Sequence, residues 1–454
     1  MLLKLGRAFG VALYCLVLAP SSALWAISMP TPGQRLTLGE AIGFTLQNHP
    51  RRLAANSETG AAEQVVGEAR SAMLPQVYGT ADYLGSTQNG IGVANYLNPG
   101  FIPRHNGVAG EPQAWSPENN YLGALGVSQF LFDFGRVRGE ITESKAQAAA
   151  AGAQLKFTDL DLIFETSQRY YELLAAKQLV TVYQEAITQR QEQVHEATVR
   201  SSTGLAAAID VYTAQAQLAR AETQLVAERN AVATAKAGLD NAMGLGAEEP
   251  DYEPAQTLSV SEVVGSVQEH IATAMKLRPD LLELEDQARA AGARVREYRS
   301  DLFPTGNAVA GYNIVGTGLP GVNNYNLGLV INWPIFNGLL TTHQIEESRL
   351  RRTAVEHMIA DKRQRIMLEV KTTFLNWQTA HQEIHEALAA LDASRVELAL
   401  AQKRYVAGLG NIIELTEAER DFIQDKASYV NTLYSFAVAK AGLERADGQA
   451  LESR

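Results

Sequence analysis

Apolar residues recur every seven positions along two long stretches of the chain. Leu173, Val180, Ile187 and Val194 keep that spacing, and so do Trp377, Ile384, Leu391 and Leu398. The stretch after each repeats the beat, first with Val211, Leu218, Leu225, Val232 and Leu239, then with Leu415, Phe422, Tyr429, Phe436 and Leu443. A sustained period of seven slightly undershoots two turns of a straight helix, so such helices must wind around their neighbours. The Ala, Gln, Glu and Arg between the stripes are strong helix formers with a polar outer face. The stripes are therefore read as packing residues. Helices are predicted over 38–72, 137–200 and 206–243, and again over 268–301, 341–405 and 411–446. The stretch 137–200 holds 64 residues and no proline. It would reach about 96 Å, against about 57 Å for 206–243 and about 52 Å for 38–72. One long rod is matched by two shorter ones stacked end to end.

Four short segments have another period. Residues 76–85, 121–131, 305–316 and 325–335 are rich in Gly, Tyr, Val and Asn and partly alternate. Each has about the 9–11 residues that a tilted strand needs to cross a bilayer. The link 86–120 between the first two is long and carries Pro99, Pro103, Pro112 and Pro117, whereas 317–324 is short. Four strands are too few to close a membrane barrel, which takes about eight, and open edges cannot face lipid. If the strands enter a membrane, several chains share one barrel.

The chain is written twice. Ala235-Lys-Ala-Gly-Leu239 recurs as Ala439-Lys-Ala-Gly-Leu443, an offset of 204 that also relates Gly204-Leu205 to Gly408-Leu409, Asp210 to Glu414 and Glu165 to Glu369. Further upstream the offset is 229, relating Leu74-Pro75 to Phe303-Pro304 and His49-Pro50 to Arg278-Pro279. The division that follows is a first repeat over 27–246, a linker over 247–266, a second repeat over 267–448 and a short tail over 449–454.

Charge and composition then narrow the class. The 454 residues carry 39 basic and 50 acidic side chains, a net −11, which argues against nucleic acid as a partner because phosphate binding needs clustered positive charge. Residues 1–26 read as a cleaved secretory signal. Lys4 and Arg7 precede an uncharged apolar run over 8–19, Pro20 and Ser21 break it, and small Ala23 and Ala26 follow. The single cysteine, Cys15, lies in that run, so the exported chain is cysteine-free.

Taken together, these features resemble the TolC-like outer membrane efflux family of trimeric channel-tunnels. The resemblance runs from about Leu36 to Gly448. It is carried by Phe130-Leu-Phe-Asp-Phe-Gly-Arg136 with its second copy Pro334-Ile-Phe-Asn-Gly338, by Arg278-Pro-Asp280, Leu74-Pro75 and Phe303-Pro304, and by the Gly-Leu-x4-acidic pattern at Gly204–Asp210 and Gly408–Glu414. It implies a mainly α fold with a small β part. Tandem-duplicated coiled-coil helices would form an α-barrel tunnel, and four strands per chain would join a trimeric twelve-stranded transmembrane β-barrel. It also implies a homotrimer in outer membrane lipid, with a periplasmic adaptor protein and an inner-membrane pump of the RND or ABC type as partners, and a belt around the tunnel formed by 247–266 and the tail. The expected role is an exit duct for efflux or type I secretion. A non-conducting periplasmic coiled-coil scaffold is the alternative, which would explain the heptads but not the strands.

The site expectations follow from the same resemblance. Gly204 and Gly408 are helix terminators by their freedom at positive φ. With Leu205 and Leu409 they would form tips on which the adaptor docks. Glu414 and Glu417 are expected as two carboxylate rings in a narrow periplasmic gate, concentrating cations. Asp210 is expected there too, near a helix N-terminus, and Tyr405 in the interhelical contacts that close the gate. Gly410 departs from the family pattern, where a basic side chain can stand, leaving Arg404 or Arg200 as the available cations. His381 and His385 have a zinc-compatible spacing without a third ligand and are read as a solvated helix face. No nucleophile–base set, cofactor motif or metal site is apparent, so no enzymatic activity is expected.

Overall fold

The computed structural model describes residues 34–87, 117–246, 252–258, 260, 265–316 and 321–451. The signal assigned to 1–26 lies outside them, as does most of the link 86–120. A short strand β1 (Gln34–Leu36) leads into helices α1 (Leu38–Asn48) and α2 (Pro50–Ser71), then strands β2 (Gln76–Thr87) and β3 (Pro117–Phe132). Helix α3 (Arg136–Ser202) and helix α4 (Ala208–Ala242) follow, then strand β4 (Tyr252–Pro254). The second half repeats the order with α5 (Val267–Leu277), α6 (Pro279–Ser300), β5 (Thr305–Gly316), β6 (Val322–Asn332), α7 (Leu340–Val406) and α8 (Ile412–Asp447).

Both long rods, α3 and α7, have 67 residues, or about 100 Å of helix. Near the strands the packing order is α2–α3–α6–α7, and toward the far end it is α4–α3–α8–α7. The stretches expected as single helices over 38–72 and 268–301 are each two helices, broken at His49-Pro50 and Arg278-Pro279. The ring of a proline excludes the α conformation from the residue before it, and His49 (ψ 126°) and Arg278 (ψ 114°) are accordingly extended. Of the α3 heptad, Leu173 is fully buried while Val180, Ile187 and Val194 are half-buried, because so long a rod changes neighbours along its length.

The copies have diverged at the break. Arg278 is buried and grips Asp280 through two bonds (2.9 and 2.6 Å), Glu369 (2.8 Å) and the Ala446 carbonyl (3.2 Å). Arg445 joins Glu369 (2.9 Å) to Asp161 (2.7 Å), so α3, α6, α7 and α8 meet in one ionic clasp. In the first copy the same place holds His49, whose Nδ1 merely accepts the Arg51 N–H (3.1 Å), while Arg51 reaches Glu165 (3.1 Å). Two cores flank these breaks, one around Tyr170, Leu173, Leu239 and Met243, the other around Ile366, Trp377, Phe436 and Leu443. In the stretch 247–266, strand β4 pairs in parallel with β1; Tyr170 Oη donates to the Leu36 carbonyl of β1 (2.8 Å), and Tyr252 of β4 donates to Asp240 (2.8 Å).

The four longer strands form one antiparallel sheet in the order β2-β3-β5-β6, leaving β2 and β6 as open edges. The segment predicted over 325–335 is in fact Val322–Asn332. It ends just before Trp333-Pro334, where proline has no N–H to give a ladder. Register separates the faces. Tyr83 faces Tyr121, Leu125 faces Tyr312, and Tyr312 faces Tyr325, so with Leu327, Leu329 and Ile331 they share one side. That side is apolar and exposed, with Leu327 at 84% and Leu329 at 73% accessibility. The opposite side carries Thr80, Asp82, Ser128, Asn307, Asn313, Asn324 and Asn326. That side also holds Tyr78, Val322 and Val330, and Asn313 on it is buried, so the sheet has one apolar, exposed face and one of more polar, mixed character.

Sheet passes to rod through a tight turn. Asp133 accepts the Gly135 N–H (2.9 Å) and the Val137 N–H (2.6 Å), covering the first free amides of α3. Phe134, at φ +55°, stacks on Phe303 at 5.2 Å.

Candidate functional site

At the end remote from the sheet, α3 turns into α4 and α7 into α8, and the two turns lie side by side. The chain reverses at Gly204 and Gly408, both at φ +71°, where a side chain would cost about 1–2 kcal/mol. Arg200 and Arg404 each present their carbonyl to two amides past the glycine. Those are Leu205 (2.8 Å) and Ala206 (3.2 Å) in one turn, Leu409 (2.8 Å) and Gly410 (3.0 Å) in the other. The apolar side chains at the apex have no cover. Leu205 and Leu409 are each 73% exposed, beside exposed Ile209, Tyr212 and Ile413.

Arg200 ties the turns together. Its guanidinium donates to the Val406 carbonyl (2.9 Å) and lies 5.0 Å over the Tyr405 ring. Tyr405 is buried in a core with Leu398, Ala401, Ile412, Leu415 and Ala418. Burial pushes its phenol pKa up, the negative charge of Asp210 adds to that, Arg200 offsets part of it, and Glu196 raises it further. Asp210, in the first turn of α4, is thus close enough to Tyr405 for its charge to be felt.

The second turn has its own ion pair. Asn411 caps α8 by accepting the Glu414 N–H (2.8 Å), and Arg404 Nε donates to Glu414 Oε1 (2.7 Å) while a second guanidinium nitrogen reaches the Leu409 carbonyl (3.2 Å). Gly410 makes room for this pair. A Cβ there would lie 3.2 Å from both Arg404 Cβ and Glu414 Oε2. The two candidate cations are therefore both engaged, Arg404 with Glu414 and Arg200 with Tyr405. Glu417 is exposed one turn further along α8, with no ion pair among the described residues. His381 lies against the Phe436 ring at 5.8 Å.

Two charged residues that the sequence reading passed over stand about three turns from the tips, Glu419 on α8 and Arg190 on α3, both buried. The signal for Glu419 was present. Ile412, Leu415, Glu419 and Phe422 are spaced three, four and three apart, so a carboxylate occupies a core position of the coiled-coil stripe.

A two-faced four-stranded sheet carried on helical rods of this length is the chain architecture of outer membrane channel-tunnels. The CmeC outer membrane channel of Campylobacter jejuni superposes with a TM-score of 0.76 at 16% identity, covering 94% of this chain and 90% of that one. The chain belongs to the outer membrane efflux protein family, whose model matches residues 41–245 and 271–449, a segment in each repeat. Among its relatives, the outer membrane efflux protein BepC of Brucella suis biovar 1 (strain 1330) is 24% identical over 411 residues, 85% of this chain and 87% of BepC. The outer membrane protein TolC of Escherichia coli (strain K12) is 22% identical over 422 residues, 88% of this chain and 80% of TolC.

Proposed function

We propose that this chain is the outer membrane exit duct of a tripartite efflux or type I secretion system. Three copies join the open edges of β2 and β6 into one twelve-stranded barrel, with the apolar face toward lipid and the polar face toward a water-filled bore. The rods extend into the periplasm as a helical tunnel with the turns at its far end. Substrate handed over by an inner-membrane pump of the RND or ABC type, through an adaptor docked on Leu205 and Leu409, diffuses out without covalent chemistry. The observation that carries this reading is the two-faced sheet with open edges on rods of about 100 Å.

The tips serve as the gate. Three chains bring three Glu414 and three Glu417 into one throat, where like charges concentrate cations. Arg404 already balances Glu414 within each chain, so Glu417 supplies most of the field. Arg200, Tyr405 and Asp210 hold the two hairpins together in the closed state. The test is conductance in planar bilayers of trimers extracted from outer membranes. Cation selectivity is expected to fall more for Glu417→Ala than for Glu414→Ala, and to rise for Arg404→Ala. A soluble periplasmic monomer without pores would instead establish the scaffold. Cysteines placed at Leu205 and Leu409 are expected to capture an adaptor by crosslinking in cells.

A further inference from the structure

Along the seam between α3 and α8, contacts alternate in kind. Lys426 pairs with Glu185 across it, Val182 and Val430 pack nearby, and at the tip Arg200 of α3 is fastened instead to α7, through the Val406 carbonyl. Between these fastenings the seam encloses Glu419, 1% exposed, with neither carboxylate oxygen hydrogen-bonded among the described residues. Facing it from α3 are Arg190 and Gln193, 6% and 7% exposed. Arg190 spends one nitrogen on the Gln217 carbonyl (2.9 Å) and side chain (3.0 Å) of α4, while its Nε and both ends of the Gln193 amide lack partners. A buried, unpaired carboxylate is costly when ionised and much cheaper when protonated. Parting the seam would give all three side chains to water.

We propose that Glu419, opposite Arg190, is a proton-sensitive latch of the α3–α8 seam: the protonated carboxyl lets the hairpins close, and loss of that proton drives them apart. The inference rests on reading the hairpins as the moving parts of the tunnel entrance. Arg190 is the charge that acts on Glu419, and Arg220 of α4 in turn repels Arg190. From α7, Leu398, Ala401 and Tyr405 form one apolar core with Ile412, Leu415, Ala418 and Phe422 of α8, the stretch that contains Glu419. Glu192, His195, Glu417 and Arg420 on the two seam helices are solvent-exposed. Burial, offset in part by Arg190, pushes the Glu419 pKa up to about 7. In a parted seam the carboxyl returns to the ordinary glutamate range, about 4.3. The closed form therefore binds the proton more tightly. Closure is fully favoured in acid and weakens as pH rises between those two values, with no further change well above the higher one.

The experiment measures the seam directly. In trimers, spin labels at Gln191→Cys and Gln424→Cys report the α3–α8 distance from about pH 5 to about pH 8. The parted population is expected to rise on the order of ten- to hundred-fold across that range. Glu419→Gln should remove the dependence and stay closed, and Arg190→Gln should move the transition to higher pH. A seam distance that ignores pH, or a Glu419→Gln protein that keeps the shift, overturns the latch. Bilayer recordings on the same samples separate the two readings. A pH-dependent seam without pores would sustain the latch and sink the duct.

Discussion

At the scale of single residues, the tip is controlled by what each side chain touches. The hydroxyl of Tyr405 is buried without a hydrogen-bond partner among the described residues, so its ring, set among apolar side chains and under Arg200, does the holding. Tyr405→Phe is expected to change stability by no more than about 0.5 kcal/mol, whereas Tyr405→Ala should cost about 3–5 kcal/mol by opening a cavity. Denaturant titration of the extracted protein distinguishes these. The terminating glycines were legible in the sequence because positive φ is a local property. The engagement of Arg404 with Glu414 was not, since it depends on how the turn closes and on the space left at Gly410. Nor was the placing of Glu419 within reach of the Arg190 charge, since the two lie in different repeats and come near only when the hairpins pack.

At the scale of elements, the duplication supplied two nearly equal sets of helices, and proline punctuated each at the same place. The dipeptides His49-Pro50 and Arg278-Pro279 carried the break in plain view, because the restriction before proline is steric and local. What the break is for differs between copies, and only the fold shows it. In the second copy Arg278 neutralises Asp280 inside a clasp that also takes in Lys362, which reaches Asp280 at 3.1 Å. Burial alone would push the Asp280 pKa up, but Arg278 and Lys362 outweigh it and hold the carboxyl below the ordinary aspartate value. The clasp thus contributes stability that is full above about pH 3.9 and fades as pH falls through the lower folded-state value. Arg278→Ala should destabilise the chain by about 3–5 kcal/mol by stranding buried carboxylates. Melting curves of wild type and variant are expected to converge in acid. The corresponding change at His49, which holds no such partners, should cost far less.

At the scale of the whole molecule, the sheet is unfinished by itself. Its two edge strands have no outer partner among the described residues, and an open edge in lipid costs several kcal/mol for each unsatisfied group. The faces make a sharp prediction. Leu329→Arg, on the apolar side of β6, should cost about 2–4 kcal/mol per chain if it sits near the bilayer midplane, and lower the yield of trimers in outer membrane fractions. Asn324→Arg, on the polar side of the same strand, should assemble normally and alter conductance instead.

The sequence by itself determined the duplication, the approximate length of the rods and the positions of the turns, while the limits of the last strand and the breaks at His49 and Arg278 came only with the structure. The first three follow from periodicity or from the backbone preference of a few residues, and need no knowledge of what lies across the chain. Tertiary structure alone decided which strands neighbour one another, which face of the sheet is apolar, how the copies diverged at Arg278, and which charges meet at the tips and along the α3–α8 seam. Those outcomes depend on groups brought together from far apart in the chain, where burial and Coulomb interactions act over a few ångströms regardless of sequence separation.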